Sequence, residues 1–531
     1  MELKYDNIHQ YIIKCSNTSQ ITLDDDYNVP DSKPDIDSIV KDFGMAVLDG
    51  VRVNQDKAQV EGNLKYALLY IGKGQAQQQY LPVKLEGSLH FLENVNLSED
   101  ATDTEVTCKA NIEDLTIKSI NSRKISVKAI ISITVTCEEL CNTAIASQLI
   151  PDTGCSPQTL YRDYEYAQMD VNMRDNLRIK ETASLPSGKA DISELIWDDI
   201  DVRNVSTRMT EDGLNVSGEL SVFIMYISQE EGQLLQWYET LVPFAGVLDV
   251  SGAEPDSVCY VGFTMTGRNV EIRPDYDGAN REIAIEAVLD MDIRSYKDCK
   301  KTALSDVYVP GSSMELKRSE VQLKRLLVRN NTKCRVSDNI KLADYINPMQ
   351  IINVTARVQI DDYEYVEDGI AVSGAVIANV CYITADDNSP VGSVNSVIPY
   401  TGTVAIKDYD KDNIEYVVRP CIEQLTAAMN SSQGIEVKAV VALDAICFEP
   451  VKISTIEECG YTPGDSEYYA SLPSMVGYIS DGESSLWDIA KKYNTTCEAV
   501  RQTNAQVQRL SDSDIVPAGI KLLLIKEGMP S

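Results

Sequence analysis

The side chains that most often carry catalysis or hold metal ions are few and scattered in this chain of 531 residues. Its two histidines, His9 and His90, are far apart in sequence, whereas a catalytic triad or a zinc site normally needs more histidine or clustered cysteine. The segment DYDKDN, 408–413, has Asp at alternate positions, but a calcium loop needs Gly at its sixth position and Glu at its twelfth, where Asn413 and Arg419 stand. The sequence therefore predicts a non-enzyme with no metal site and no cofactor, and a solvated acidic turn at this segment.

Cysteine usage and charge limit the cellular setting and the partners. Thirteen cysteines run from Cys15 to Cys497 without a C-x-x-C pair, which is typical of reduced thiols rather than of a disulfide framework. The net charge of −33 repels nucleic-acid phosphates and acidic lipids. No secretion signal and no apolar run of the roughly 20 residues that span a membrane can be recognised. We therefore expect a soluble, cytoplasmic protein that does not insert into membranes.

Trp487 is the aromatic residue that is most informative about recognition. It lies in LWDIAKKY, where Leu486, Ile489, Ala490 and Tyr493 recur at helical spacing and form one apolar face. Trp487 lies off that face. Either it is an exposed anchor for a partner, because Trp is enriched among interface hot spots, or it packs against the preceding repeat or linker. Both interpretations stay open at this point.

The helix with Trp487 belongs to a small module at 475–527. The pattern predicts a short strand MVGYIS, the Trp487 helix, a second helix that Thr496 caps and that ends near Asn504, and a closing strand within 515–525. The predicted order is βααβ. Residues 460–474, rich in Gly, Pro and Ser, are predicted to be a linker. Six basic and six acidic side chains make residues 475–526 neutral, so the acidity of the chain lies in the rest of it.

The remainder of the chain is a threefold repeat. One stretch recurs as VEGNLKYALLYI, LNVSGELSVFIMYI and VSGAVIANVCYI, with copies 156 residues apart. Alternation of apolar and polar residues predicts a half-buried β-strand in each copy. A Gly is followed by a Tyr eight residues later each time. A Gly inside a long strand is typical of a β-bulge or a bend in the sheet, and we expect that here. The pairs are Gly62 and Tyr70, Gly218 and Tyr226, and Gly374 and Tyr382.

A second alternating strand closes each copy, starting at Arg123, Arg281 and Gly434. Long alternating strands separated by turns predict a mainly β fold with three β-sandwich-like units. We place the units at 1–145, 146–305 and 306–459. Between them, 141–175 and 297–337 lack clear periodicity and are predicted to be connections that pack on the sheets. A short helical turn is predicted at 191–196.

The C-terminal module resembles LysM. The start of the LysM motif appears as Gly482 to Leu486, with one extra residue before the Leu, followed by Ile489 and Ala490, and its close appears from Pro517 to Leu524. LysM modules bind N-acetylglucosamine polymers in a groove between the first turn and the turn before the last strand. The resemblance implies that two segments line a site for a partner or a glycan: Gly482, Glu483, Ser484, Ser485, Leu486 and Trp487, facing Ile515, Val516, Pro517 and Ala518.

With this module at the end, the three repeats resemble SPOCS domains, and the whole arrangement is similar to the SipL family of clostridial spore-coat proteins. The resemblance implies a non-enzymatic scaffold of spore envelope morphogenesis, in the mother-cell cytosol at the forespore surface. It also implies that the LysM module binds a coat ATPase of the SpoIVA type. The alternative is a protein that binds peptidoglycan, an N-acetylglucosamine polymer, through LysM. The cellular location of the protein distinguishes these two functions, because binding to peptidoglycan requires export of the protein or lysis of the cell.

Overall fold

The computed structural model describes residues 1–73, 80–97, 101, 104–152, 155–228, 234–252, 254–343, 346–430, 434–464 and 466–526. Within these ranges the chain forms twenty β-strands and three α-helices. Eighteen of the strands fall into three repeats of six, and the other two belong to the C-terminal module. No helix in the described ranges is long and apolar enough to cross a membrane.

The strand bounds show the repetition directly. The first repeat has β1 (Glu2–Asn28), β2 (Asp35–Asn54), β3 (Lys57–Lys73), β4 (Tyr80–Asn96), β5 (Glu105–Asn121) and β6 (Lys124–Ile150). The second has β7 (Gln158–Ser184), β8 (Ile192–Thr210), β9 (Gly213–Ser228), β10 (Leu235–Leu248), β11 (Val258–Pro274) and β12 (Asn280–Tyr308). The third has β13 (Ser312–Lys341), β14 (Pro348–Val366), β15 (Gly369–Thr384), β16 (Val391–Ala405), β17 (Glu415–Met429) and β18 (Gly434–Pro463).

Each repeat is a sandwich of two antiparallel three-stranded sheets. In the first repeat the orders are β1-β6-β5 and β2-β3-β4, and the other two repeats follow the same pattern. The alternating apolar residues of the two middle strands face each other, as Val216 and Leu220 of β9 and Ile285 and Leu289 of β12 do in one buried cluster. The predicted mainly β architecture with three repeated units is confirmed.

The repeated Tyr residues occupy equivalent positions. Tyr70, Tyr226 and Tyr382 all lie on the middle strand of the second sheet, opposite Ile39, Leu195 and Ile351 of the preceding strand. The hydroxyl of Tyr70 donates to the carbonyl of Pro34 at 2.9 Å, and that of Tyr226 donates to the carbonyl of Ala190 at 3.1 Å. The prediction that these residues are structurally equivalent is confirmed.

The repeated Gly residues make room for an aromatic ring. Gly62 and Gly218 pair across the sheet with Phe91 and Phe244, and a Cβ at either glycine would lie 2.6–2.7 Å from the ring. On the other side, the preceding strand bulges next to the glycine, between Leu48 and Gly50 in the first repeat. The bulge therefore lies opposite the Gly rather than at it, and the missing side chain lets the ring close over the backbone.

The segments predicted to be connections are strands, so that prediction is wrong. Residues 141–150 continue β6, 158–175 belong to β7, 297–308 end β12 and 312–337 belong to β13. The unit boundaries predicted after 145 and 305 consequently fall inside β6 and β12. Residues 192–196, predicted to be a helical turn, begin β8. Of the predicted linker, 460–463 end β18 and Ser466–Ser471 form α1.

The ends of these long strands form a bundle of three antiparallel strand pairs, which we call the strand-pair bundle. The pairs are β1 with β6, β7 with β12 and β13 with β18. The strands β6, β12 and β18 contact one another in all three pairs. Their shared apolar residues include Ile145 of the first repeat, Tyr164 and Ala303 of the second, and Leu323 and Ile453 of the third. Few positions per strand are buried here, and charged residues lie between them. That is why the sequence periodicity is weak although the segments are strands.

Candidate partner-binding site

The C-terminal module has the predicted βααβ order. It contains β19 (Met475–Ile479), α2 (Leu486–Lys492), α3 (Cys497–Thr503), a 3-10 turn (Ala505–Val507) and β20 (Lys521–Ile525), and β19 pairs with β20. Ser485 caps α2 and forms a capping box with Asp488, while Thr496 caps α3. The predicted apolar face of α2 is buried in the module.

Two loops of the module lie side by side, and we call residues 480–485 and 514–519 the loop pair. Backbone hydrogen bonds join them: the amide of Val516 donates to the carbonyl of Ser484 at 3.1 Å, and that of Gly519 donates to the carbonyl of Ser480 at 2.8 Å. Gly482 adopts a φ of +84°, and a Cβ there would lie 2.9 Å from Cβ of Ala518. The structure thus brings together the two segments that the sequence predicted to face each other.

The predicted site residues divide by exposure. Glu483, Ile515, Pro517 and Ala518 are exposed and Gly482, Ser484 and Ser485 are half-exposed, so these seven are accessible to a partner. Leu486, Trp487 and Val516 are buried in the apolar cluster of the module. The prediction for these three needs correction, because in this structure their side chains form core and cannot contact an incoming ligand.

Trp487 docks the module onto the second repeat. Its indole Nε1 donates to Oδ2 of Asp306 at 2.7 Å, and its ring lies 4.8 Å from that of Tyr308 at an angle of 74°. The residue is only 3% exposed. Of the two interpretations that the sequence left open, packing against a repeat is the one found. The repeat is the second one in the chain rather than the adjacent third.

Asp306 is the electrostatic centre of this docking contact. Besides Trp487, it accepts from Lys491 Nζ at 2.7 Å and from Arg318 Nη2 at 2.6 Å. Burial favours the neutral carboxyl, but the hydrogen bonds from Lys491 and Trp487 and the charges of Lys491 and Arg318 outweigh it and hold the pKa of Asp306 below its usual value. Asp306 is therefore ionised at neutral pH.

Further contacts fix the orientation of the module. The hydroxyl of Tyr308 donates to the carbonyl of Thr495 at 2.8 Å, and the amide of Gly311 donates to Oδ1 of Asn494 at 3.1 Å. At the other end, Lys526 Nζ donates to the carbonyl of Tyr469 in α1 at 2.6 Å. The module is thus held from two sides, and the accessible residues of the loop pair are not among these docking contacts.

Comparison with protein families assigns the repeats. A family model described as SipL, SPOCS domain matches residues 35–120, 191–273 and 348–430. In each case the match covers the four strands that lie between the two long strands of a repeat. The chain is a SipL-like protein with three SPOCS domains. The SipL SPOCS family is not a known enzyme family. No curated protein and no solved structure matches the chain.

A buried polar junction joins the three SPOCS domains. Lys41, Trp197 and Asn353 stand 156 residues apart, at equivalent positions opposite Leu69, Met225 and Cys381. All three donate to the same oxygen, Oδ2 of Asp199, at 2.7, 3.0 and 2.6 Å. Each SPOCS domain therefore contributes one donor to a single carboxylate, which fixes the domains relative to one another.

The junction is charged although it is buried. Lys41 is 5% exposed and Asp199 is 4% exposed. Burial disfavours the charged form of Lys41, but the adjacent carboxylate of Asp199 outweighs it and raises the pKa of the lysine. Sequence reasoning missed this site. The signal was present, because the shared spacing of 156 residues places three different polar or aromatic side chains at one repeat position.

The described residues contain no group of three or more His, Cys, Asp or Glu side chains that could hold a metal ion. His9 lies in β1, where its Nδ1 is 2.5 Å from Oδ1 of Asn142, and His90 lies in β4, where its Nε2 is 3.3 Å from Oε1 of Glu61. The two histidines thus belong to separate contacts within the first repeat.

Proposed function

We propose that the chain is a non-enzymatic scaffold of the spore envelope, and that its C-terminal module, which is of the LysM type, binds a coat ATPase of the SpoIVA type. The three SPOCS domains support a role in sporulation. The proposed place of action is the mother-cell cytosol, at the forespore surface. In this proposal the SPOCS domains build a rigid body and the module is the part that recognises the partner.

The observation that carries the proposal is the accessibility of the loop pair on a firmly docked module. Ile515 is 58% exposed in the second loop, where Pro517 and Ala518 are exposed as well. Exposed apolar groups with polar neighbours are typical of protein interaction sites. Residues 475–526 are also neutral on a chain of charge −33, so the module is the part least repelled by an acidic partner.

Binding of the full chain to a purified coat ATPase of the SpoIVA type tests the proposal. Ile515→Ser removes an exposed apolar group from the loop pair, and we expect it to weaken binding about tenfold or more, equivalent to roughly 1.4 kcal/mol. Ile479→Ser is the matched control, because Ile479 is 62% exposed on β19 of the same module but lies outside the loop pair. The control should bind like the unmodified chain.

Two results would contradict this assignment. Unchanged affinity after Ile515→Ser would exclude Ile515 as a contact, and stronger weakening by Ile479→Ser would move the interface to the outer face of β19 and β20. Absence of any binding by the unmodified chain would reject the ATPase as the partner.

A glycan is the second candidate ligand. It is favoured by the position of the loop pair, which joins the first turn of the module to the turn before its last strand, where LysM modules bind N-acetylglucosamine polymers. Titration of the same full chain with soluble N-acetylglucosamine oligomers distinguishes the candidates. Saturable glycan binding that Ile515→Ser weakens, without binding of the ATPase, would support the glycan alternative.

A further inference from the structure

A cleft of about 330 Å³ lies between the second and third SPOCS domains. The second repeat lines it with Asn204, Ser206 and Thr207 of β8, and the third lines it with Arg329 and Arg419 and with the carboxylates of Asp444 and Glu423. Asp444 pairs with Arg329, and Glu423 pairs with Lys333 at 2.7 Å. Two guanidinium groups therefore face a polar wall across a space of small-molecule size.

Arg419 reaches this cleft with hydrogen-bonding capacity to spare. Its Nη2 donates to Oδ2 of Asp292 at 2.9 Å, and its guanidinium lies 4.5 Å from the ring centroid of Tyr260. Its Nη1 is buried without a hydrogen-bond partner in the described protein. The group packs against Gly262, where even a Cβ would collide with it. An unpaired buried donor of a charged group costs free energy, which an added acceptor would recover.

The charges around Asp292 leave a positive surplus. Arg294 pairs with Asp292 and with Glu138, the latter at 2.8 Å, while Lys109 Nζ lies 3.8 Å from Asp292. Arg174 stands directly opposite Asp292 in the neighbouring strand. Together with Arg419, four cations share two carboxylates. This local surplus of two positive charges occurs in a chain whose net charge is −33.

Lys109 responds to this surplus. Desolvation and the charge of Arg419 lower the pKa of Lys109, and Arg174 and Arg294 act in the same direction. Desolvation is the largest of these causes, and the neighbouring guanidinium groups add to it, while Asp292 acts in the opposite direction.

Arg329 supplies the second guanidinium. It forms a two-pronged ion pair with Asp444, and its Nε donates to the carbonyl of Cys259 at 3.2 Å. Its guanidinium lies 5.0 Å from the ring centroid of Tyr260, the ring that Arg419 also contacts. The two like charges are thus held near one aromatic ring at the edge of a shared cleft.

We infer that this cleft binds a small oxyanion with more than one negative charge, of the phosphate or polycarboxylate type. Guanidinium groups match such oxygens in charge and in the planar arrangement of their donors. The hydroxyls and amides of Ser206, Thr207 and Asn331 supply neutral donors around the charged pair. Because the cleft is lined by two SPOCS domains, the bound anion stabilises their junction.

Calorimetric titration of the full chain tests this inference, with inorganic phosphate, pyrophosphate and citrate added separately at constant ionic strength. We expect saturable binding at one site for at least one of them, and the comparison of the three distinguishes phosphate from carboxylate recognition. Arg419→Gln should weaken that binding at least tenfold. Arg325→Gln is the matched control, since Arg325 pairs with Glu449 away from this cleft.

A second variant keeps the test decisive if Arg419→Gln does not fold. Asn331 is exposed at the cleft, and Asn331→Asp adds a negative charge there without removing a buried contact. It should also weaken the binding at least tenfold. The inference is overturned if the folded, unmodified chain shows no saturable binding of any of the three anions. It is equally overturned if Arg419→Gln or Asn331→Asp binds as well as Arg325→Gln.

Discussion

Trp487 and Asp306 are 181 residues apart in the sequence, and the indole nitrogen of one donates to the carboxylate of the other at 2.7 Å. This contact connects the C-terminal module to β12 of the second repeat. The strand β12 also belongs to the strand-pair bundle that the three repeats form together. The orientation of the loop pair is therefore determined by the repeats and not by the module alone.

Replacing Trp487 should loosen or unfold the module. Trp487→Ala removes a buried ring next to Tyr308 and should cost about 3–5 kcal/mol through the cavity it leaves. Trp487→Phe keeps an aromatic ring there and loses the donor to Asp306, so its cost should be smaller, roughly 1–3 kcal/mol. Chemical unfolding followed by a probe in the module measures both. Stability equal to that of the unmodified chain in both variants would contradict the docking role.

The docking contact should weaken in acid. The pKa of Asp306 is lowered in the folded state, so its stabilising contribution is complete above the unfolded value of about 4 and is lost as the pH falls through the folded value. Asp306→Asn should therefore cost roughly 2 kcal/mol at neutral pH and progressively less below about pH 4. Chemical unfolding of both proteins at pH 7 and pH 3.5 measures this difference. A difference that grows in acid would contradict the assignment of charge.

The fold was largely predictable from the sequence because its strongest signals are local. Alternation identified β3, β9 and β15, and the helical spacing of Leu486, Ile489 and Ala490 identified α2. The strand-pair bundle was not predictable in the same way, because each long strand buries only a few residues there, against the other two strand pairs. A regular alternation of apolar residues arises where one face of a strand packs along its whole length on another sheet. The ends of these strands do not pack in that way, so the alternation is missing.

The candidate site was predictable only in part. The loop pair could be predicted from the LysM-like motif, because the positions of these two turns depend only on residues within the small module. The burial of Trp487 depends on Asp306 and Tyr308, which are remote in sequence and carry no motif. For the same reason, the sequence did not reveal that Lys41 meets Asp199.

Breaking the junction between the SPOCS domains should be costly. Lys41→Met leaves the buried carboxylate of Asp199 with Arg268, 3.9 Å away, as its remaining cation, and should cost about 3–5 kcal/mol. Lys73→Met is the control, because Lys73 is exposed and lies 3.7 Å from Asp37, and loss of such a pair costs about 0–1 kcal/mol. Adding Asp199→Asn to Lys41→Met should recover part of the loss in chemical unfolding. A further loss in the double variant would show that the lysine does not balance this carboxylate.

The Gly of the repeat should be required for packing. Gly62→Ala places a Cβ 2.6 Å from both the Phe91 ring and the carbonyl oxygen of Val47, and such overpacking costs about 1–3 kcal/mol. Gly50 lies in the adjacent strand and nothing is within 4 Å of its would-be Cβ, so Gly50→Ala should be neutral or slightly stabilising. Thermal unfolding compares the two variants. Equal melting temperatures would refute the steric argument.

The central claim is that the chain recognises a partner through the loop pair of its C-terminal module. Hydrogen–deuterium exchange of the full chain, alone and with a purified coat ATPase of the SpoIVA type, tests it most directly. The account predicts slower exchange in residues 480–485 and 514–519 of the complex, with the strands of the SPOCS domains unchanged. A complex that forms with slower exchange only in the SPOCS domains would contradict it.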